Sequence, residues 1–263
     1  MDFTDILKKV TQQYSEDLPF ALYSLPNSKD LNIILQNNNV LYDTTSYAEE
    51  SFAFAPFNYH GKALCIPLKK SVSFETEFIL NTIDKNDIII NEDLQTKETY
   101  CKQVKKAISV IKSSNASKIV LSRKKDIDLK QFDISILIKR LLNLYPTAFR
   151  YIWYHPQTGF WCGASPEILL QTEGVSFTTM ALAGTQIIKK DTVPYWNIKE
   201  LNEQKIVVDA ITNSLKKVTS VVRISETYNY KAASLVHLRT DITGTLKKEK
   251  KTLSMIASVL HPT

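Results

Sequence analysis

At 263 residues, 44% of them hydrophobic and 23% charged, the chain has the make-up of a soluble globular protein with a substantial core. Its net charge of +6 comes from scattered lysine pairs and one denser run, Lys247-Lys-Glu-Lys-Lys251; no basic stripe interleaved with aromatics is present, which excludes a nucleic-acid binder. Cys65, Cys101 and Cys162 are odd in number and lack CxxC spacing, so they read as reduced thiols of a cytoplasmic protein rather than a disulfide frame or zinc site.

The first segment, residues 2–15, sets Phe3, Ile6, Leu7 and Val10 at helical spacing, and its acidic residues separate it from a signal peptide. Strands are predicted at Phe20–Tyr23, Leu31–Leu35, Ser51–Phe57, Ala63–Pro67 and Val72–Phe74. Asp87–Ile90 leads toward a helix over about 97–113, where Tyr100, Val104, Ala107, Ile108 and Ile111 recur on one side. Lys118–Arg123 reads as a strand, and Ile134–Tyr145 as a helix closed by Pro146. Further strands are predicted at Phe149–Tyr154, Gly159–Cys162, Ile168–Gln171 and Val175–Thr179. A long helix over about 196–218 follows Pro194. Val221–Ile224, Leu235–Leu238 and a stretch near Ile242 are the last strands, before a helix near 249–260. Strands in runs with helices between the runs indicate an α+β protein of antiparallel type. No run of apolar residues is long enough to span a bilayer.

Five of the six glycines lie between Gly159 and Gly244, in the half that also carries the polar motifs. Within it, Phe160-Trp-Cys-Gly-Ala-Ser-Pro-Glu167 and Met180-Ala-Leu-Ala-Gly-Thr185 each look like a strand running into a turn of small residues, open to close approach by another molecule. Glu167, beside aromatic and apolar residues, suits a carboxylic acid kept protonated by its surroundings, or equally a solvated turn glutamate. In the helix after Pro194, Glu203 shares a face with Ile206, Val207 and Ala210, and Glu200 reaches the same side. Two carboxylates there suit a Mg²⁺ ion, or are N-terminal acids favoured by the helix dipole. Lys118 opens its strand as either a solvated gatekeeper or a base that burial or a nearby cation must help to deprotonate. His237 follows a strand and either orients a substrate or caps a turn. His60 and His155 stand alone without a role.

Taken together, Ser51–Phe57, Lys118–Arg123, Gly163–Glu167, Leu182–Thr185, Lys199–Gln204, His237–Thr240 and His261–Thr263 resemble, in order, the motifs of the chorismate-binding enzyme family, the isochorismate synthases in particular. The resemblance implies a single domain over 1–263, a layered α+β sandwich of two antiparallel sheets with helices outside and the site in a central cleft, in a family of cytoplasmic enzymes that are often monomers. It implies chorismate as the substrate and Mg²⁺ as the cofactor. Water attacks C2 while the C4 hydroxyl leaves. Lys118 matches the general base, Glu167 the general acid, Glu203 a metal ligand and Glu200 its water-mediated partner. Gly184, Thr185 and His237 match substrate contacts.

Lys118 stands where anthranilate synthases usually carry glutamine, and Ala183 where aminodeoxychorismate synthases carry a nucleophilic lysine, so both amine-installing activities are disfavoured. Salicylate synthase and an inactive chorismate-binding remnant are the alternatives. Ala181 replaces the family's proline, and Gln204 a frequent histidine. Relatives of this kind continue past His-Pro-Thr with further strands and a second metal-binding glutamate, so the chain is expected to be C-terminally incomplete.

Overall fold

In the computed structural model, which describes residues 2–57, 62–79, 93–129, 131–188, 192–247 and 253–261, the central strands of the first sheet carry apolar side chains on both faces. Because successive side chains alternate, β1 (Phe20–Ser24) sends Phe20 and Leu22 to one core and Ala21 and Tyr23 to another. β2 (Asp30–Gln36) splits Leu31, Ile33 and Leu35 from Ile34, and β7 (Phe149–His155) splits Ile152 and Tyr154 from Trp153 in the same way. Two amphipathic helices cover the first face: α1 (Phe3–Ser15) through Ile6, Leu7 and Val10, and α3 (Ile134–Leu144) through Ile134, Ile138, Leu141 and Leu142. A small sheet of β3 (Tyr42–Thr44), β5 (Ala63–Pro67) and β4 (Ser51–Phe54), in that order, covers the second face through Phe52, Phe54, Leu64 and Ile66. With β6 (Ser71–Glu77) and β8 (Gly159–Ser165) at its edges, the first sheet runs β6-β2-β1-β7-β8 and is antiparallel throughout.

The second sheet is built on two long strands, β10 (Ser176–Ile187) and β13 (Leu235–Leu246). β9 (Gln171–Glu173) lies beside β10, while β11 (Thr219–Ile224) and β12 (Tyr228–Ala232) pair with successive stretches of β13. Every second residue of β13 is buried: Val236, Leu238, Thr240, Ile242 and Leu246. That face is covered by α4 (Ile198–Leu215), through Ile211 and Leu215, and by α5 (Leu253–Leu260), through Ile256 and Leu260. The antiparallel α+β architecture expected from the sequence is the one observed, with the three-stranded sheet as an addition.

The chain divides into two compact units, Met1–Thr82 with Ile134–Thr263 and Ile83–Asp133. The smaller unit holds α2 (Leu94–Ser113), capped by the Asp93 carboxylate. None of its described residues is buried. Here the structure departs from the sequence pattern: Lys118–Arg123 is not a strand. A β-rich segment becomes a strand only when a partner backbone takes up its N–H and C=O groups. No ladder involves this one among the described residues, and Ile119 and Val120 remain exposed. The Tyr100 hydroxyl donates to the Leu121 carbonyl at 3.4 Å, and the Arg123 guanidinium lies 5.9 Å from the Tyr100 ring centroid.

Other differences are of extent. Gly163, Ala164 and Ser165 form no turn; they complete β8, opposite Tyr151, Arg150 and Phe149. The segments around Val175–Thr179 and Met180–Thr185 are one strand, as are Leu235–Leu238 and Ile242. Ile168–Leu170 precede a strand that begins only at Gln171, β4 ends at Phe54 rather than Phe57, and β3 and β12 are strands beyond those predicted. Asp87–Ile90 and His60 lie outside the described residues.

Two buried polar groups set the chemistry of the first core. Arg150 is 1% exposed. Its guanidinium donates to the carbonyls of Leu142, Leu25 and Ser28 at 2.9–3.0 Å and to the Ser24 hydroxyl at 2.6 Å, over the Phe78 ring. Among the described residues no carboxylate pairs with it, and burial pulls it below the ordinary arginine value. Arg150→Ala orphans three carbonyls and opens a cavity, so urea unfolding should show a loss of about 3–5 kcal/mol, with Arg150→Lys recovering only part. His155 is fully buried and its Nδ1 accepts from the Gln157 amide at 3.1 Å. Burial lowers its pKa below the ordinary imidazole value, against a smaller opposing pull from the Val40 carbonyl. The unfolded chain therefore takes up this proton first, so the contribution is complete above about pH 6.5 and is lost as pH falls below it. Chemical denaturation of wild type and His155→Gln between pH 7 and 5 should show the steeper decline in wild type.

Candidate functional site

The candidate site is laid out by the ladder between β10 and β13. Ala183 pairs with Leu238, but the next pairing is Thr185 with His237, leaving Gly184 as an extra residue in β10. Such a bulge needs one residue in a conformation that side chains resist, and Gly184 adopts φ +68°. A one-residue insertion reverses which face the following side chains occupy. Thr185 is thereby brought onto the face of His237, and its hydroxyl lies 3.0 Å from His237 Nδ1. The same nitrogen lies 3.2 Å from the Gly184 carbonyl, which can only accept. A proton on Nδ1 serves both oxygens and leaves Nε2 as the acceptor.

The other side of the bulge meets the entry to α4. A Cβ added at Gly184 would lie 3.2 Å from the Trp196 ring and 3.6 Å from Glu200 Cβ. Trp196 is held by a hydrogen bond from Nε1 to Asn229 Oδ1 of β12 at 2.7 Å. Asn197 and Glu200 form a capping box: the Asn197 side chain accepts from Lys199 and Glu200 amides, and Glu200 Oε2 accepts from the Asn197 amide at 3.0 Å. Gly184 thus touches the other three candidates, Thr185 and His237 on one face of the sheet and Glu200 on the other.

Glu203 lies one turn further on, paired with Lys199 at 2.8 Å, a contact that raises the Lys199 ammonium pKa. The apolar face foreseen for it is not the one the helix buries. Gln204, Ile211 and Leu215 point into the core, while Glu203, Ile206 and Val207 are half-buried and Ala210 is exposed. Among the described residues no three His, Cys, Asp or Glu side chains converge as a metal cage. Glu200 and Glu203 nonetheless offer hard oxygen donors one turn apart, each with a second carboxylate oxygen besides the one bonded to Asn197 or Lys199, which fits a Mg²⁺ that keeps several waters and substrate oxygens.

Glu167 follows β8 through Pro166, in a turn where the Ser165 hydroxyl and the Glu167 backbone bond each other. It lines a cleft of about 310 Å³ with Met180, Ile211, Leu260 and His261. Glu167 itself is exposed, and Ser165, Thr179 and His261 share the lining with the apolar side chains. His261 Nε2 donates to the Phe57 carbonyl at 2.6 Å, so two of the sequence motifs meet here. Lys118 belongs to the Ile83–Asp133 unit, where it is half-buried. Gly163 has a structural reason to be glycine: an added Cβ would lie 2.7 Å from the Tyr151 ring. Gln204 and His261 were not singled out as site residues; a polar residue on the buried stripe of α4 was the available signal for the first, and nothing local marked the second.

Comparison with known proteins bears on this arrangement. The profile of the family described as Chorismate binding enzyme matches residues 63–263. Isochorismate synthase EntC of Escherichia coli (strain K12) is 26% identical over 187 residues, covering 67% of this chain and 48% of that protein. Isochorismate synthase MenF of Bacillus subtilis (strain 168) is 28% identical over 207 residues, covering 73% and 43%. The chain thus spans about half the length of these relatives. The crystal structure of DhbC from Bacillus anthracis superposes with a TM-score of 0.70 at 17% identity, over 97% of this chain and 75% of that one, so the two share a fold.

Gly184→Ala should lower stability by about 1–3 kcal/mol, from positive-φ strain and the contact with Trp196. It should also shift the His237 ring signals in ¹⁵N NMR as the Thr185 contact is lost. Unchanged ring signals would mean that the bulge does not hold this pair.

Proposed function

Because the chain belongs to the chorismate-binding enzyme family, we propose that it acts as an isochorismate synthase, moving a hydroxyl from C4 to C2 of the chorismate ring. The observation that carries the proposal is the Gly184 bulge, which sets Thr185 and His237 side by side on one face of the sheet while the glycine itself meets the Glu200 turn of α4 on the other. A substrate with hydroxyl and carboxylate groups finds matching partners there: the Thr185 hydroxyl donates or accepts, and His237 Nε2 accepts from a ring hydroxyl.

The reaction needs an acid and a base of different kinds. Hydroxide leaves poorly unless protonated, and Glu167, at the cleft beside Met180 and Ile211, supplies the proton to the departing C4 oxygen. Water attacks poorly unless deprotonated, and Lys118, the one lysine in the matching Lys118–Arg123 motif, takes its proton. The ring double bonds shift as C2–O forms and C4–O breaks, so one water enters and one leaves. A Mg²⁺ bound by Glu203, with Glu200 through water, would neutralise the ring carboxylate of the substrate. Its relatives' names include both EntC and MenF, so the fate of the product stays outside this proposal.

With Mg²⁺ present, the chain should convert chorismate to isochorismate, read by ¹H NMR of the ring protons. Glu167→Gln should reduce kcat by roughly 10²–10⁴-fold, the usual worth of a general acid. Wild-type turnover in that variant would remove Glu167 from the mechanism, and no conversion by wild type would remove the activity.

A further inference from the structure

We propose that Gln204 is the positioning residue that keeps the acid-bearing turn of α4 in register with the Gly184 bulge, an inference that rests on reading Glu200 and Glu203 as part of the site. The first turns of α4 have no apolar anchor: Ile198 is 77% and Leu201 48% exposed. Going along the helix, Gln204 is its first buried residue, at 2% exposure. The contacts further on, from Ile211 and Leu215, are apolar. Apolar packing is non-directional and tolerates small slides and rotations. A hydrogen bond does not.

Gln204 Nε2 donates at 3.0 Å to the Ala181 carbonyl of β10 and at 3.0 Å to the Thr240 hydroxyl of β13. Its two N–H groups therefore reach two different strands, fixing both the height and the rotation of α4 against the ladder. Thr240 passes the link on to Thr227 at 2.8 Å. Ala181 lies three strand residues, about 10 Å, before Gly184, and Gln204 lies one position after Glu203 and one turn after Glu200, so the tie is made close to each feature it registers. The arrangement has a cost that simple packing would avoid. Gln204 Oε1 is buried without a hydrogen-bond partner among the described residues, an unpaired acceptor that a leucine of similar volume would not bring. A local rule broken inside an otherwise apolar face points to a positional requirement.

The test is Gln204→Leu in the full chain, followed by amide hydrogen exchange. Residues 199–203 should exchange about tenfold faster or more while the Ile211–Leu215 turn keeps its protection. Where wild type turns chorismate over, kcat should fall by about tenfold or more while KM moves less, since a small misplacement near the reacting groups suffices. Thr240→Val, which removes one of the two acceptors, should give the same pattern at smaller size and serves if Gln204→Leu does not fold. Wild-type protection across 199–203 in a folded variant, or loosening spread over the whole of α4, overturns the proposal. An inactive wild type would remove the proposed function alone, because the exchange result does not depend on turnover.

Discussion

Everything assembled at the candidate site depends on one extra residue in one strand. Had β10 run past Ala183 in regular register, residue 184 would have paired with His237, and Thr185 would have faced the helix-covered core. The insertion is tolerated because Gly184 has no side chain to oppose φ +68°, and because Trp196 and Glu200 need the room that a Cβ would fill. Glycine here meets two independent demands, one from backbone torsion and one from the approach of α4. Together they tie the capped end of a helix to a side-chain pair on the opposite face of the sheet.

The two large sheets are covered differently, and this decides where function can sit. The first has helices on one face and the small sheet on the other, so its central strands are apolar on both sides. The second has α4 and α5 on one face, and its other face presents partly exposed polar groups. Arg239, two residues from His237 on that face, is bonded to Asp241 at 2.7–2.8 Å and lies 4.6 Å from the Tyr230 ring centroid. Tyr228 donates to the same carboxylate at 2.9 Å. These mutually satisfied groups hold the neighbourhood of His237 stiff without an apolar cover.

Features with a local signature were legible in the sequence. The stripes of α1 and α3 and the alternation of β1, β2 and β7 all report on neighbours within a few residues. Features set by distant partners were not. Lys118–Arg123 has the composition of a strand, but composition cannot supply the partner backbone that makes one. The bulge is invisible because a glycine after Leu-Ala reads as a turn, and only the register of a strand fifty residues away shows otherwise. The site residues Gly184, Thr185, His237 and Glu200 were therefore nameable one by one, while the reason they meet was not.

The acids of α4 show why the plain and the functional readings of a residue need not compete. Glu200 does cap its helix, as any N-terminal acid would, but the cap uses Oε2 for the Asn197 amide. Glu203 does pair with a lysine, yet Lys199 Nζ is its i,i+4 neighbour on an exposed surface, where such a pair is worth only a few tenths of a kcal/mol. An interaction that weak leaves the Glu203 carboxylate free to change partner, whereas the cap and the Gln204 tie hold the backbone independently of it. A stable frame with a loosely committed carboxylate is what reversible metal and substrate binding requires.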